Sequence, residues 1–423
     1  MRRVWLWTPV VLALCHAHAI ASVQIVNILV DPIKGSLGVT DTQYSLLQGA
    51  ALGLLAVILG VPIARIADTG HRRGVIVVGT IAWSLGSLLS AAAQSFTHLL
   101  IARAFVGIGE IVLFPAALSI IYDSAPRERL ATAIGIFGSG GPIGSAAALL
   151  GGGWLASSSA SFGFGDAHIE GWRWAFALCA VSGIVVAATT LTLAEPRRAS
   201  REAPGDSRPL SLLPSLRAKW SLYLCISGGF ILISIAVLAV NAWTPTFLVR
   251  VHQFTYETAG QLTGLAALAC AAAGTWVAGV SIDACERHGR RDGAILVACL
   301  VAGLLALSIT AAVGSSSLAG VAASVCAAYF LLGMPTVIGG TALQQISPAH
   351  LRAQILAVHV LLVNLIAVPA GPTSVALLTD HVFGSPGTVG RSMVITASLA
   401  VTAAIGVMLL ARSSFTARRA EIC

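Results

Sequence analysis

Long apolar stretches, each about 20 residues or more, recur along the whole sequence and alternate with short polar segments. Their approximate limits are 6–30, 43–66, 74–94, 97–122, 130–156, 172–194, 221–248, 258–282, 293–313, 317–345, 352–379 and 391–411. Each can cross a hydrocarbon core of about 30 Å as a helix. The stretches are continuous and rich in Ala, Gly and Leu, whereas a membrane β-barrel would show short alternating segments. The pattern predicts an all-α integral membrane protein of about twelve transmembrane helices. A polar segment, 195–219, divides it into an N-terminal six-helix bundle (1–194) and a C-terminal one (220–423). Two such halves are expected to pack around a central cavity.

Composition sharpens this reading. The 423 residues are 57% hydrophobic and only 10% charged, and the mean hydropathy is +0.88. That is too little polar surface for a water-soluble globule. The net charge of +8 would suit nucleic acid if it were clustered, but it lies in loops between apolar runs and reads as topology. Eight cysteines without a CxxC or a metal-ligand spacing read as packing residues. The N-terminus imitates a signal peptide, with Arg2-Arg3 before an apolar stretch. An uncleaved first span to about Val30 is expected, because the even helix count requires it.

Positive charge sets the orientation. Of the 25 Lys and Arg, 20 fall in the termini and loops of one side, four (Lys34, Arg173, Arg250, Arg391) on the other, and Arg103 inside a span. By the positive-inside rule both termini are cytoplasmic, and the protein is a multi-pass protein of the inner membrane.

The loop after span two reads Arg65-Ile-Ala-Asp68-Thr-Gly-His-Arg72-Arg73. Its counterpart after span eight reads Asp283-Ala-Cys-Glu286-Arg287-His-Gly-Arg290-Arg291. An acid closing a helix before a basic cluster can pair with that cluster or with a neighbouring helix terminus, and so form a cytoplasmic gate. Arg103 and Glu110 lie seven residues apart in span four, two turns and about 10 Å along one face. Ionisable residues there are costly and point to function. Span five carries Gly135, Gly138, Gly140, Gly141-Pro142 and Gly144, a run suited to close helix packing. The aromatics of Gly171-Trp-Arg-Trp-Ala-Phe176 are expected to anchor the outer interface. In the second half Asn241, Trp243, His359 and Asn364 are polar or amphipathic groups inside spans, candidates for a substrate cavity or for interhelical contacts. Neither a phosphate-cradling Gly-Lys-Ser/Thr loop nor a hydrolase elbow or zinc motif is present in the sequence, so neither an enzyme nor a cofactor or metal site is expected.

The loop with Asp68, Arg72 and Arg73 resembles the major facilitator superfamily signature, with Ala64 and Thr69 departing from it. Asp31-Pro-Ile-Lys, Gln48-Gly, Gly60-Val-Pro-Ile-Ala-Arg, Arg103-Ala-Phe-Val-Gly-Ile-Gly-Glu110 and Asn241-Ala-Trp-Thr-Pro are similar to its spinster-like branch. The resemblance implies the major facilitator fold, alternating access, and a cavity in which the matching Arg and Glu serve proton coupling. It also implies lipid-like substrates. The family's Asp-Arg pair in span one is missing, with Ser22-Val23 in its place. His16 and His18 are the titratable groups of that span other than Cys15, about 200° apart, so at most one faces the cavity. His18, one turn from Ser22 and at the depth of Glu110, is the expected partial replacement.

The function expected is secondary active transport of a small amphipathic solute, proton-coupled and outward, by a monomer in a lipid bilayer, without nucleic acid. Uptake of an organic acid on Arg103 and a transport-silent sensor remain as alternatives. The charge bias makes the topology testable. Reporter fusions after Arg73, within 195–219 and at the C-terminus should report cytoplasm, and those near Lys34, Asp166 and Arg250 the far side. A C-terminal reporter on the far side would refute twelve spans.

Overall fold

The computed structural model describes residues 4–50, 71–158, 163–164, 167–195, 219–348 and 351–422. Among them, eleven helices are long and apolar enough to cross a membrane. Their ends lie within a few residues of the predicted limits for most spans. The expected second span, 43–66, runs beyond the described residues. The long helices of the first half are α1 (Val4–Gln24), followed by a 3-10 turn (Ile25–Asn27) and two short helices, α2 (Val30–Leu37) and α3 (Asp41–Ser45). Next come α4 (Arg72–Ala91), α5 (Phe96–Ser124), α6 (Leu130–Ser157) and α7 (Gly171–Leu191). A two-residue hairpin pairs β1 (Gly163–Phe164) with β2 (Ala167–His168). The second half begins with α8 (Trp220–His252), α9 (Tyr256–Leu265) and α10 (Ala272–Arg287). It continues with α11 (Gly293–Gly314), α12 (Leu318–Leu332), α13 (Pro335–Ile346), α14 (Arg352–Leu362), α15 (Val368–Leu377) and α16 (Val389–Ile422).

The chain divides into two units: Met1–Ser200 with Pro245–Leu268, and Arg201–Thr244 with Ala269–Cys423. The hairpin formed by the end of α8 and by α9 therefore packs with the first unit although it follows the polar segment in sequence. Its limits fall where helices are easily bent, at Pro245 and beside the π-helical turn Ala266–Ala271.

Within lipid, helices gain little by hiding apolar surface from one another, and contact rests on close backbone approach. The first unit is assembled on that basis. A Cβ on Gly140 would stand 2.4 Å from the Ala13 carbonyl oxygen, and one on Gly144 would stand 2.1 Å from that of Ala17, so α6 rides directly on α1. By contrast, Gly135 and Gly138 have nothing within 4 Å. The hairpin repeats the device: a Cβ on Gly260 of α9 would lie 2.2 Å from the Leu149 oxygen of α6, and one on Gly153 would lie 2.4 Å from the Tyr256 oxygen. Between these contacts lies an apolar core of Val11, Leu12, Trp83, Val106, Leu113 and Phe137.

Trp172 differs from its expected interfacial place. It is 1% exposed, set edge to face against Phe176, and its indole N–H donates to Glu170. The adjacent Arg173 explains the motif: its guanidinium donates to the Ala91 and Ala93 carbonyls at the end of α4 (2.9 and 2.6 Å), satisfying acceptors the helix leaves open.

Gly144→Ala should force α1 and α6 apart, at a cost of about 1–3 kcal/mol typical of overpacking. Gly135→Ala should be neutral. Thermal unfolding of the detergent-solubilised variants checks both.

Candidate functional site

The break in α1 organises the first unit. α1 ends at Gln24, where a 3-10 turn follows and then α2, which takes Pro32 in its first turn. The last carbonyls of α1 lie open. Arg103 of α5, fully buried, fills that gap: Nη1 donates to the Ser22 oxygen at 2.7 Å and Nη2 to the Val23 oxygen at 3.4 Å. A cation at a helix C-terminus is favoured by the helix dipole as well as by the hydrogen bonds. Backbone carbonyls at the end of α1 thus accept from the guanidinium.

A chain of amides extends from this point. Asn27 donates to Gln24 at 2.6 Å, Gln48 donates to Asn27 at 3.1 Å, and the Tyr44 hydroxyl donates to the Val26 carbonyl at 2.7 Å. Gln24 is half-buried, while Asn27 and Gln48 are buried. Such a row offers both donors and acceptors to a polar ligand group.

At the other end of α2 lies a group that sequence reasoning missed. Arg250, at the end of α8, sits between two carboxylates. Nε and Nη2 donate to Asp31 at 2.9 and 2.5 Å, and Nη1 and Nη2 donate to Asp41 at 2.7 and 2.8 Å. Lys34 also pairs with Asp41, whose side chain is fully buried. Burial alone would push the Asp41 carboxyl up, but the hydrogen bonds and charges of Arg250 and Lys34 outweigh it and hold its pKa below the usual range. Gly38 in the left-handed conformation (φ 65°) ends α2, and a Thr40–Gln43 capping box opens α3; together they present both acids to Arg250. Arg250 had been read only as topology. The signal in the sequence was two acids, Asp31 and Asp41, in one short outer loop.

The predicted site residues separate as follows. Glu110 lies on α5, two turns after Arg103. His18 is turned toward α4 and α7: its ring lies 5.8 Å from that of Trp83, Nδ1 is 3.4 Å from the Ser182 hydroxyl, and the buried Nε2 has no hydrogen-bond partner among the described residues. His16 faces the other way, toward α5 and α6. In the second unit Trp243 is buried and its indole N–H donates to the Pro372 carbonyl at 2.9 Å. His359 is buried beside the Ser227 hydroxyl at 2.7 Å. Asn241 and Asn364 are half-buried, the latter in the π-helical turn Val363–Ala367, a geometry frequent at functional sites.

Of the predicted cytoplasmic gate, Asp68 lies outside the described residues. Arg72 is buried and pairs with Asp123 at the end of α5 and with Glu195 after α7 (3.1 Å). Glu195 also accepts the backbone N–H groups of Arg72 and Arg73 at 3.2 and 2.8 Å, capping α4. Burial would push Glu195 up, but the hydrogen bond from the Arg73 backbone N–H and the bonds and charge of Arg72 hold its pKa low. The second unit mirrors this with the charges exchanged. Asp292 precedes α11 and accepts from Arg412 of α16 at 2.6 Å, while Glu286 pairs with Arg419 at 2.9 Å. Arg290 reaches Asp292 at 3.5 Å, the Arg291 carbonyl accepts from Arg419 at 2.8 Å, and Asp283 and Arg287 are exposed. Among the described residues no group of three or more His, Cys, Asp or Glu is placed to hold a metal ion.

Apolar spanning helices in two units, with a buried arginine and amides inside one of them, define a polytopic helical membrane protein. The chain belongs to the Major Facilitator Superfamily, whose family model matches residues 12–372. It is 28% identical over 291 residues to an MFS-type efflux pump of Mycolicibacterium smegmatis, covering 67% of this chain and 64% of that protein. It is 27% identical over 237 residues to Protein spinster homolog 1 of Xenopus tropicalis, covering 53% and 42%. The chain thus spans less than two thirds of the length of these curated relatives. In fold it is similar to a bacterial homolog of the human lysosomal transporter Spinster in an inward-facing, unoccupied conformation. That match has a TM-score of 0.80 at 22% identity, over 99% of this chain and 98% of the other.

The Arg250 clasp has a defined pH dependence. Because the Asp41 pKa is depressed, its contribution is complete above the usual carboxylate range and is lost as pH falls through the depressed value. Hydrogen exchange of residues 250–265 should therefore be constant from about pH 8 to 5 and accelerate below about pH 4, after correction for intrinsic rates. Arg250→Gln should raise exchange there about a hundredfold at neutral pH, as expected for breaking a buried pair worth roughly 3 kcal/mol. Equal protection in the variant would show that the glycine contacts alone hold the hairpin.

Proposed function

We propose that this protein is a secondary active transporter that exports a small amphipathic organic solute in exchange for protons, by alternating access. The observation that carries the reading is Arg103, a fully buried cation within a membrane span, bonded to the open end of α1 and continuous with the Gln24–Asn27–Gln48 amides. Burying a charge at that depth is expensive, and membrane proteins retain such groups mainly on substrate and ion paths. The amides receive the polar part of the solute. Glu110, two turns further along α5, is the proton carrier.

The name of one relative, the efflux pump, supports the outward direction, and the name of another points to an organic molecule. Besides the mycobacterial efflux pump, a puromycin resistance protein of Streptomyces alboniger is 31% identical over 208 residues, covering 47% of this chain and 37% of that protein. Uptake of an organic acid is less favoured, because the Arg103 donors that would grip a carboxylate are directed at the Ser22 and Val23 carbonyls.

In this reading the hairpin 245–268 is the outer gate and Arg250 its catch, while Asp68, Arg72, Arg73 and the Asp283–Arg291 loop serve the cytoplasmic side. The protein acts in the inner membrane with both termini cytoplasmic.

Glu110→Gln tests the coupling. In proteoliposomes carrying an imposed proton gradient, with ethidium as the probe, the variant should lose accumulation against the gradient yet retain exchange. Accumulation at the wild-type rate would assign the proton to another group.

A further inference from the structure

Two histidines of α1 point in opposite directions, and their surroundings differ in kind. The His18 ring is enclosed by Trp83, Ser84, Ser182 and Gly183, on the side of α1 that meets α4 and α7. His16 is half-buried on the side that meets α5 and α6. Its ring stacks on Phe137 of α6 with centroids 4.9 Å apart and meets Phe114 of α5 edge-on at 5.4 Å. Phe137 is 1% exposed, but Phe114 is 50% exposed, so the aromatic box is closed behind His16 and open beside it.

The hydrogen bonding decides the tautomer. Nδ1 of His16 lies 3.1 Å from the Phe137 carbonyl oxygen. A carbonyl only accepts, so Nδ1 carries the proton and Nε2 presents its lone pair. The Nε2 edge is directed along α6 at Gly141, where a Cβ would stand 3.3 Å from Cε1 and 3.7 Å from Nε2. Gly140 and Gly144, by letting α6 ride on the α1 backbone, set this rotation of α1 and hold the ring there.

Among the described residues, few charged or titratable groups lie on the turns that His16 faces. On α6 the facing turns offer Phe137, Gly140 and Gly141, and Leu130–Ser157 contains no titratable residue. On α5, Phe114 is preceded by one turn by Glu110, with Arg103 two turns earlier. On α1 itself, Cys15 is bonded to Thr190 of α7 and His18 is turned away. Glu110 is therefore the acid that shares a helix with the ring facing His16, one turn along.

We propose that His16 is a proton-binding residue of the transport cycle, with Nε2 as the atom that takes the proton. The imidazole keeps its Nδ1 proton on the Phe137 carbonyl, gains one proton at Nε2 to become a cation, and returns that proton from Nε2 when the solute is exchanged. The face of the Phe137 ring, on which the imidazole stacks, favours this cation. The assignment rests on the proton-coupled reading of transport proposed above and adds His16 as a proton site beside Glu110.

The test has two arms. In lipid nanodiscs, 15N-histidine NMR of the wild-type protein reads the ring directly, with the His16 signal assigned by its loss in His16→Gln or its displacement in Gly141→Ala. The expected result is the Nδ1–H tautomer at high pH and proton uptake at Nε2 between about pH 5 and 8. An Nε2–H tautomer, or a ring that does not titrate in that interval, overturns the assignment.

In proteoliposomes with ethidium as the probe, His16→Gln should lower accumulation under a proton gradient by about fivefold or more and flatten its pH dependence. An unchanged pH profile in His16→Gln, or transfer of the loss to His18→Gln, also overturns it. Retained accumulation in Glu110→Gln together with loss in His16→Gln would instead refute the role given to Glu110 and leave His16 supported.

Discussion

The grip of Arg103 on the open end of α1 is the interaction on which the rest of the first unit depends. In lipid, a helix that ends midway leaves carbonyl groups with no water to accept from, and a guanidinium within a span has no water to donate to. Each would be costly alone. Joined at the Ser22 and Val23 oxygens they satisfy one another, with the helix dipole adding to the attraction. This join allows α1 to stop at Gln24, and stopping there exposes the amides of Gln24 and Asn27 to Gln48.

Close backbone contact is the second constraint. Gly140 and Gly144 fix both the distance and the rotation of α1 against α6, and rotation determines which histidine meets which helix. The same device at Gly153 and Gly260 seats the hairpin 245–268 on α6, while the Arg250 clasp adds direction and charge. Contacts between glycine backbones are tolerant of sliding, whereas a guanidinium held by two carboxylates has a single geometry.

The start of α4 in one unit and of α11 in the other show one problem solved with opposite signs. In the first, Arg72 opens α4 against the helix dipole, and Glu195 with Asp123 compensates it. In the second, Asp292 precedes α11 in accord with the dipole, and Arg412 comes from α16. The third helix of each half is thus tied to the end of the sixth. These bonds stiffen each bundle internally.

Most of the helix order was legible in the sequence, because bilayer thickness dictates helix length and so leaves a direct mark on the order of residues. Arg103 was legible for the same reason, since a charge inside an apolar run stands out. Its partners were not, because backbone carbonyls have no letter in a sequence. Neither was the clasp: Arg250 is 219 residues from Asp31 and 209 from Asp41, so only the packed hairpin brings them together. The helical period showed that His16 and His18 point apart, but which one meets α5 and α6 depends on how α1 is rotated, and the glycine contacts of α6 decide that. The sequence by itself determined what must cross the membrane and what must be charged; the tertiary structure alone decided which polar groups meet, because in lipid each is held by whatever donor or acceptor the packing delivers to it.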